Sequence, residues 1–231
     1  MGKLSVVATP IGNLEDITIR AIKTLFTADF ILCEDTRHSG LLMSEITKRY
    51  HEFFDFNPDW KPKLIPYYDE IEEKKLPEII GLLLQGNHLA LISDAGTPLI
   101  SDPGFRLVRE CIKRNIAVES VPGPSALLAA LTSSGLQTDK FTFYGYPPEK
   151  QSARIKLFQN INSVDGTAIL YCAPHKLETT LTDMKEIFGD IDIVVARELT
   201  KVHEQVWHGT ITKALMEFIN PKGEFVLLFH L

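Results

Sequence analysis

Four short segments concentrate the residues able to hold a small molecule. They are Thr9-Pro10-Ile11-Gly12-Asn13-Leu14, Cys33-Glu34-Asp35-Thr36-Arg37, the run from Ser93-Asp94-Ala95-Gly96-Thr97-Pro98 to Ser101-Asp102-Pro103-Gly104, and Val121-Pro122-Gly123-Pro124-Ser125-Ala126. Proline fixes φ and removes a donor, while glycine lets a backbone approach a ligand closely. Such loops are rigid and sterically open. One of them alone is an ordinary strand-to-helix joint, with Asp102-Pro103 or Gly123-Pro124-Ser125 as a helix start. Four together point to a shared crevice. It is no nucleotide cradle of the Walker kind, because G-x-x-x-x-G-K-[ST] is missing and no G-x-G-x-x-G opens the first helix. No G-x-S-x-G elbow supports serine hydrolysis. His203 and His208 have no third ligand near them and read as strand edges.

The elements that must position these loops alternate. Apolar, β-rich runs at Leu4–Ala8, Asp29–Cys33, Leu64–Tyr67, His88–Ser93 and Ala117–Val121 are interleaved with helical patterns at Thr18–Thr27, Ser39–Lys48, Glu72–Gln85, Phe105–Arg114 and Ser125–Ser133. That rhythm predicts a parallel sheet covered on both faces, with ligands outside the carboxyl ends of the strands. The stretch Tyr50–Lys63 breaks it and reads as a loop or excursion. Beyond Gly135 the order changes. Strand-like Lys140–Tyr146, Ala168–Cys172, Ile191–Ala196, Glu204–Gly209 and Glu224–Phe229 mix with helical Glu149–Asn160, Pro174–Phe188 and Thr212–Ile219. We expect an α/β fold of two domains, residues 1–136 and a smaller 137–231, joined near Gly135-Leu136-Gln137-Thr138.

Composition narrows the class. The 231 residues carry 24 basic and 30 acidic side chains, a net charge of −6, which argues against coating nucleic acid non-specifically. A local basic face remains compatible with that balance. The acidic run Asp69, Glu70, Glu72, Glu73 reads as the solvated first turn of a helix. Apolar stretches fall far short of the roughly 18 residues that span a bilayer, and no signal peptide opens the chain. Cys33, Cys111 and Cys172 form no C-x-x-C pair and read as buried thiols of a reduced compartment, here the cytoplasm. No cluster has metal-ligand spacing.

The motifs together resemble one family. Val7-Ala8-Thr9-Pro10-Ile11-Gly12-Asn13-Leu14-Glu15-Asp16, Glu34-Asp35-Thr36-Arg37, Ser93-Asp94-Ala95-Gly96-Thr97-Pro98, Ile100-Ser101-Asp102-Pro103-Gly104, Pro122-Gly123-Pro124-Ser125-Ala126 and Ala196-Arg197-Glu198-Leu199-Thr200-Lys201 occur in the order of the ribosomal RNA small-subunit methyltransferase I type. Lys222-Gly223-Glu224-Phe225 adds to the match. That family is a branch of the tetrapyrrole (corrin/porphyrin) methylase superfamily, and the resemblance runs over practically the whole chain. It implies a two-domain fold with a ligand cleft between the domains, a homodimer, and transfer of a methyl group from S-adenosylmethionine, leaving S-adenosylhomocysteine. The acceptor it implies is the ribose 2′-oxygen of a decoding-region cytidine in 16S rRNA of the small ribosomal subunit. Three departures stand out. Pro148-Glu149-Lys150-Gln151-Ser152-Ala153-Arg154 replaces a more basic stretch, Pro66-Tyr67-Tyr68-Asp69-Glu70 replaces a His/Asn-rich one, and the chain stops after its last strand. They leave a superfamily methylase of a tetrapyrrole or other non-RNA acceptor as the alternative, and a donor-binding protein without turnover as a third reading.

The superfamily pattern, carried over motif by motif, places the donor against Pro10, Ile11, Asp94, Thr97, Ser125, Ala126, Cys172 and Ala196. A ribose hydroxyl is a poor nucleophile at neutral pH, so a base should assist by ~10²–10⁴. Glu34, Asp35 and Glu198 are the carboxylates offered, with Arg37 or Lys201 holding a neighbouring phosphate. Asp35 has a second reading as a helix cap. For RNA, the expected basic face is Arg37, Lys150, Arg154, Lys156, Arg197 and Lys201, with Lys150 and Arg154 at the i, i+4 spacing that shares a helix face.

Overall fold

The computed structural model describes residues 2–50, 52–53, 62–161 and 165–231. The expected excursion over Tyr50–Lys63 lies mostly outside them, although Tyr50 ends a helix and Lys63 begins a strand. The chain packs as two compact units, Met1–Ser125 and Ala126–Leu231. The division therefore falls before the helix at 126–133, whereas the sequence places its linker after it.

In the first unit the apolar runs become β1 (Lys3–Val7), β2 (Phe30–Cys33), β3 (Lys63–Pro66), β4 (His88–Leu91) and β5 (Ala117–Val121). They pair in parallel, in the order β3-β2-β4-β1-β5. The helices are α1 (Ile19–Leu25), α2 (Thr36–Tyr50), α3 (Asp69–Leu84) and α4 (Phe105–Lys113). Side chains alternate across a strand, and successive residues of β2 serve opposite cores. Ile31 and Cys33 pack with Ala21, Ile22 and Leu25 of α1 and Met43 and Ile46 of α2. Leu32 packs with Ile79, Ile80 and Leu83 of α3 and Leu107 and Cys111 of α4. The chain thus leaves β1 and β2 over one face and leaves β3 and β4 over the other. Strand β4 sits between two neighbours whose connections go the opposite way, the reversal at which carboxyl-end crevices form.

The second unit holds α5 (Ala126–Ser133), β6 (Phe141–Phe143), α6 (Gln151–Ile161), β7 (Thr167–Cys172), α7 (Leu177–Phe188), β8 (Asp192–Arg197), β9 (Gln205–Thr210), α8 (Ile211–Glu217) and β10 (Phe225–His230). Its sheet runs β6-β7-β10-β8-β9. Only β6 and β7 are parallel; β10 is antiparallel to both neighbours, and β9 to β8. One face is sealed by Phe158, Leu181, Met184, Ile211 and Phe229, while α5 packs on β7 and β10. The α/β class and the two sheets are as expected. All three cysteines are free and buried. Among the described residues no helix is long and apolar enough to cross a membrane.

Candidate active site

Backbone bonds stitch the predicted loops of the first unit together. Thr9 N donates to Gly96 O at 2.8 Å, and Gly96 N returns a bond to Thr9 O at 3.1 Å. This bridge clamps the loop after β1 to the loop after β4. Gly96 takes φ +84°, and a Cβ there would lie 3.3 Å from Ile11 Cγ2, so glycine permits the approach. Thr97 Oγ1 donates to Pro124 O at 2.9 Å, tying the β4 loop to the loop after β5 that carries Ser125. Pro10, Ile11, Asp94, Thr97 and Ser125 thus stand on three loops, with the β4 loop bonded to each of the other two.

The loop after β2 joins them through carboxylates. Asp94 N donates to Glu34 Oε1 at 3.3 Å, and Asp35 N donates to Asp94 Oδ1 at 3.4 Å. Each loop caps the other across the reversal between β2 and β4. Burial, followed by the charge of Asp102 and then that of Asp94, pushes the Glu34 carboxyl up to about 7, against a single amide bond that favours the anion. Burial also lifts Asp102 to about 6; the hydrogen bond from Ser93 opposes the rise, and the charges of Asp94 and Asp69 add to it. His38 Nδ1 lies 3.6 Å from Asp94 Oδ2 on the outer side.

Asp35 has the opposite character. It accepts Arg37 N at 2.8 Å and grips the guanidinium through Nε at 3.1 Å and Nη2 at 2.7 Å. Those bonds hold its carboxyl well below the usual carboxylate range. This is the cap of α2, which explains why the helix starts at Thr36, three residues before the apolar pattern suggests.

Sequence reasoning passed over Asp102, reading it as a helix start. The N-cap of α4 is instead Gly104, at φ +125°, which leaves the Asp102 side chain to the acid cluster. Gly104 N donates to Glu72 Oε1 at 3.2 Å, and the buried Tyr67 hydroxyl donates to the same oxygen at 3.0 Å. Glu72 is therefore a buried brace for the 101–104 loop, which corrects the reading of its acidic run as wholly solvated. The remaining signal in the sequence was Ser101-Asp102-Pro103-Gly104 itself, an acid between two conformational stops.

The predicted residues of the second unit fall into place separately. Ala126 opens α5. Cys172 and Ala196 are both buried. The Cys172 thiol faces the core near Thr180, and burial pushes it up to about 11. Glu198 Oε1 accepts Lys201 Nζ at 2.9 Å and Glu224 N at 3.0 Å. Burial raises its carboxyl, but these bonds outweigh it and the net shift is downward.

The expected basic face needs one correction. Arg154 is only 5 % exposed. Its guanidinium is held by Asp183 at 2.5 Å and donates to the carbonyls of Pro148 and Glu149. Helical spacing put Lys150 and Arg154 on one face, but Arg154 points inward, to α7. Lys150 and Lys156 are exposed. Arg197 donates to Lys222 O, and Lys201 bridges Glu198 and Glu224. Among the described residues no His, Cys, Asp and Glu group is arranged to hold a metal ion.

Comparison with known proteins places this geometry. Residues 3–215 match the family described as Tetrapyrrole (Corrin/Porphyrin) Methylases. A protein named Ribosomal RNA small subunit methyltransferase I from Synechocystis is 47% identical over 231 residues, spanning 99% of this chain and 78% of the relative. Its namesake from Thermotoga maritima is 40% identical, spanning 99% and 98%. The fold also matches a uroporphyrin-III C-methyltransferase from Thermus thermophilus solved with S-adenyl homocysteine, at a TM-score of 0.66 and 15% identity over 98% of this chain and 97% of that one. The chain therefore belongs to the tetrapyrrole (corrin/porphyrin) methylases, in the branch of the ribosomal RNA small subunit methyltransferase I proteins.

Proposed function

We propose that this protein transfers the methyl group of S-adenosylmethionine to the ribose 2′-oxygen of a cytidine in 16S rRNA of the small ribosomal subunit. The observation that carries the reading is identity of 40–47% over nearly the full chain to proteins named as ribosomal RNA small subunit methyltransferases; the 2′-oxygen of a cytidine is our reading of the acceptor. The loops of the first unit suit such a donor. Gly96 and the exposed carboxylate of Asp94 offer close backbone approach and an acceptor for hydroxyl or ammonium groups, while Ile11 supplies an apolar wall.

The donor brings a methyl already activated by its sulfonium, so the chain must align the acceptor and take a proton. Glu34 fits the second task. A base works best with a pKa near the operating pH, and Glu34 is pushed up to about 7 by burial and by the charges of Asp102, Asp94 and Asp69. Asp35 is committed to Arg37 and to capping α2, and Glu198 to Lys201 and Glu224. Phosphate contacts then fall to Arg37, Lys150, Lys156, Arg197 and Lys201, with Arg154 excluded by its burial. The protein acts in the cytoplasm as a homodimer, without a metal, and sedimentation should give twice the chain mass.

The test is transfer of labelled methyl to small subunits from cells lacking the endogenous enzyme, followed by alkaline hydrolysis. A 2′-O-methylated linkage resists alkali, so label should remain in an alkali-stable dinucleotide beginning with cytidine. Label entering an added tetrapyrrole while the subunits stay unlabelled would overturn this reading in favour of the alternative acceptor.

A further inference from the structure

The turn between β8 and β9 holds an unfavourable shape. Glu198 has φ +50° and Thr200 φ +64°, both in the left-handed region that L side chains avoid. Thr200 Oγ1 is buried without a hydrogen-bond partner among the described residues. Non-glycine residues keep such conformations only where their surroundings over-determine them, and these places cluster at functional sites.

Glu198 is what over-determines the turn. Its amide donates to Glu224 O at 3.0 Å, and its carboxylate Oε1 accepts Glu224 N at 3.0 Å, so side chain and backbone together grip the residue just before β10. The same oxygen accepts Lys201 Nζ at 2.9 Å, and Lys201 N donates to Glu198 O at 3.0 Å. Across from it, Gly223 has φ +97°, and a Cβ there would stand 2.6 Å from the Glu198 carboxyl carbon. The glycine leaves the space that the carboxylate fills. Downstream, Thr200 N donates to the Glu204 carboxylate and Glu204 N to Lys201 O, closing the turn. At its tip Val202 is 95 % exposed.

The geometry points to Glu198 as a positioning residue for the proposed RNA reaction: a clasp that fixes the 198–204 turn for contact with the RNA backbone, with the Lys201 ammonium held between Glu198 and the Glu224 carboxylate. This rests on the reading of the acceptor as RNA. A carboxylate with one oxygen bound by both an amide and an ammonium is stabilised as the anion and is a weaker base for a substrate proton.

Three variants separate clasp from base: Glu198→Gln, Glu198→Ala and Gly223→Ala. Glutamine keeps an oxygen for Glu224 N. It should retain slow hydrogen exchange at that amide, a kcat within about two-fold of the parent, and the parent pH profile. The two alanine variants should lose protection at Glu224 and raise KM for small subunits about ten-fold, with donor affinity and the pH profile of kcat unchanged. A loss of kcat as large in Glu198→Gln as in Glu198→Ala, with the acid limb of the profile abolished, would make Glu198 the base and overturn the clasp. Unaltered Glu224 exchange in Glu198→Ala would overturn it independently of any activity. If the parent itself labels no small subunits, the RNA reading fails, and the exchange data still decide whether the clasp exists.

Discussion

Three carboxylates at the chain's turns have been driven apart by their neighbours, two downward and one upward. Asp35 gains an arginine and a helix N-terminus and is held ionised. Glu198 gains a lysine and an amide. Glu34 gains burial and the charge of Asp102, and its proton is held up to about pH 7. Replacing Glu34 by Gln should lower kcat by ~10²–10⁴ with little change in donor affinity. The parent rate should fall as pH drops through about 7, because only the anion accepts a proton. Asp102→Asn should move that midpoint down by removing a like charge, and a pH–rate profile of both proteins checks it. Stability follows the same linkage. A carboxyl whose folded pKa is raised stabilises the fold fully below the ordinary carboxylate pKa, and that contribution is lost as pH rises through the folded value. Glu34→Gln, which mimics the neutral form, should therefore melt higher than the parent at pH 8 and like it at pH 4.

At the scale of elements, helix α6 is tied to α7 by a buried ion pair and not by apolar packing alone. Arg154→Ala strands Asp183 without its cation in the interior, a change of about 3–5 kcal/mol, and should lower Tm while leaving the salt slope of RNA binding alone. Lys150→Gln should do the reverse, reducing that slope by roughly 0.7–0.9 with Tm unchanged. Thermal melts and salt titrations of the two variants measure both quantities. The same pair shows where legibility ended. Strands β1, β2 and β4 were readable because burial on both faces leaves near-continuous apolar runs, and the loops because proline and glycine are explicit about backbone. Which way Arg154 points depends on Asp183, 29 residues away. The brace at Glu72 depends on Gly104 across another helix. The partnership of Glu34 with Asp102 depends on two loops meeting. Periodicity reports a face, and only the partner says whether that face is inside.

For the molecule as a whole, a net charge of −6 means that RNA affinity must come from a few local cations, so association should weaken steeply with salt. Sulfonium methyl transfer needs no Lewis acid, and full activity should survive exhaustive chelation when the RNA is folded beforehand; a requirement for added magnesium under those conditions would count against the metal-free mechanism. The strand order of the first sheet also has a consequence for how the protein is made. Strand β1 is made before the other strands of its sheet, yet its two neighbours are β4 and β5, which end at residues 91 and 121. At about 5–20 residues per second, translation leaves the first strand without either partner for several seconds. During that interval an apolar segment with two open edges is available to any other strand. Strand β1 thus waits with both edges open during synthesis and is enclosed by two partners once residue 121 has emerged, so its hazard of mispairing belongs to the making of the chain more than to its folded life.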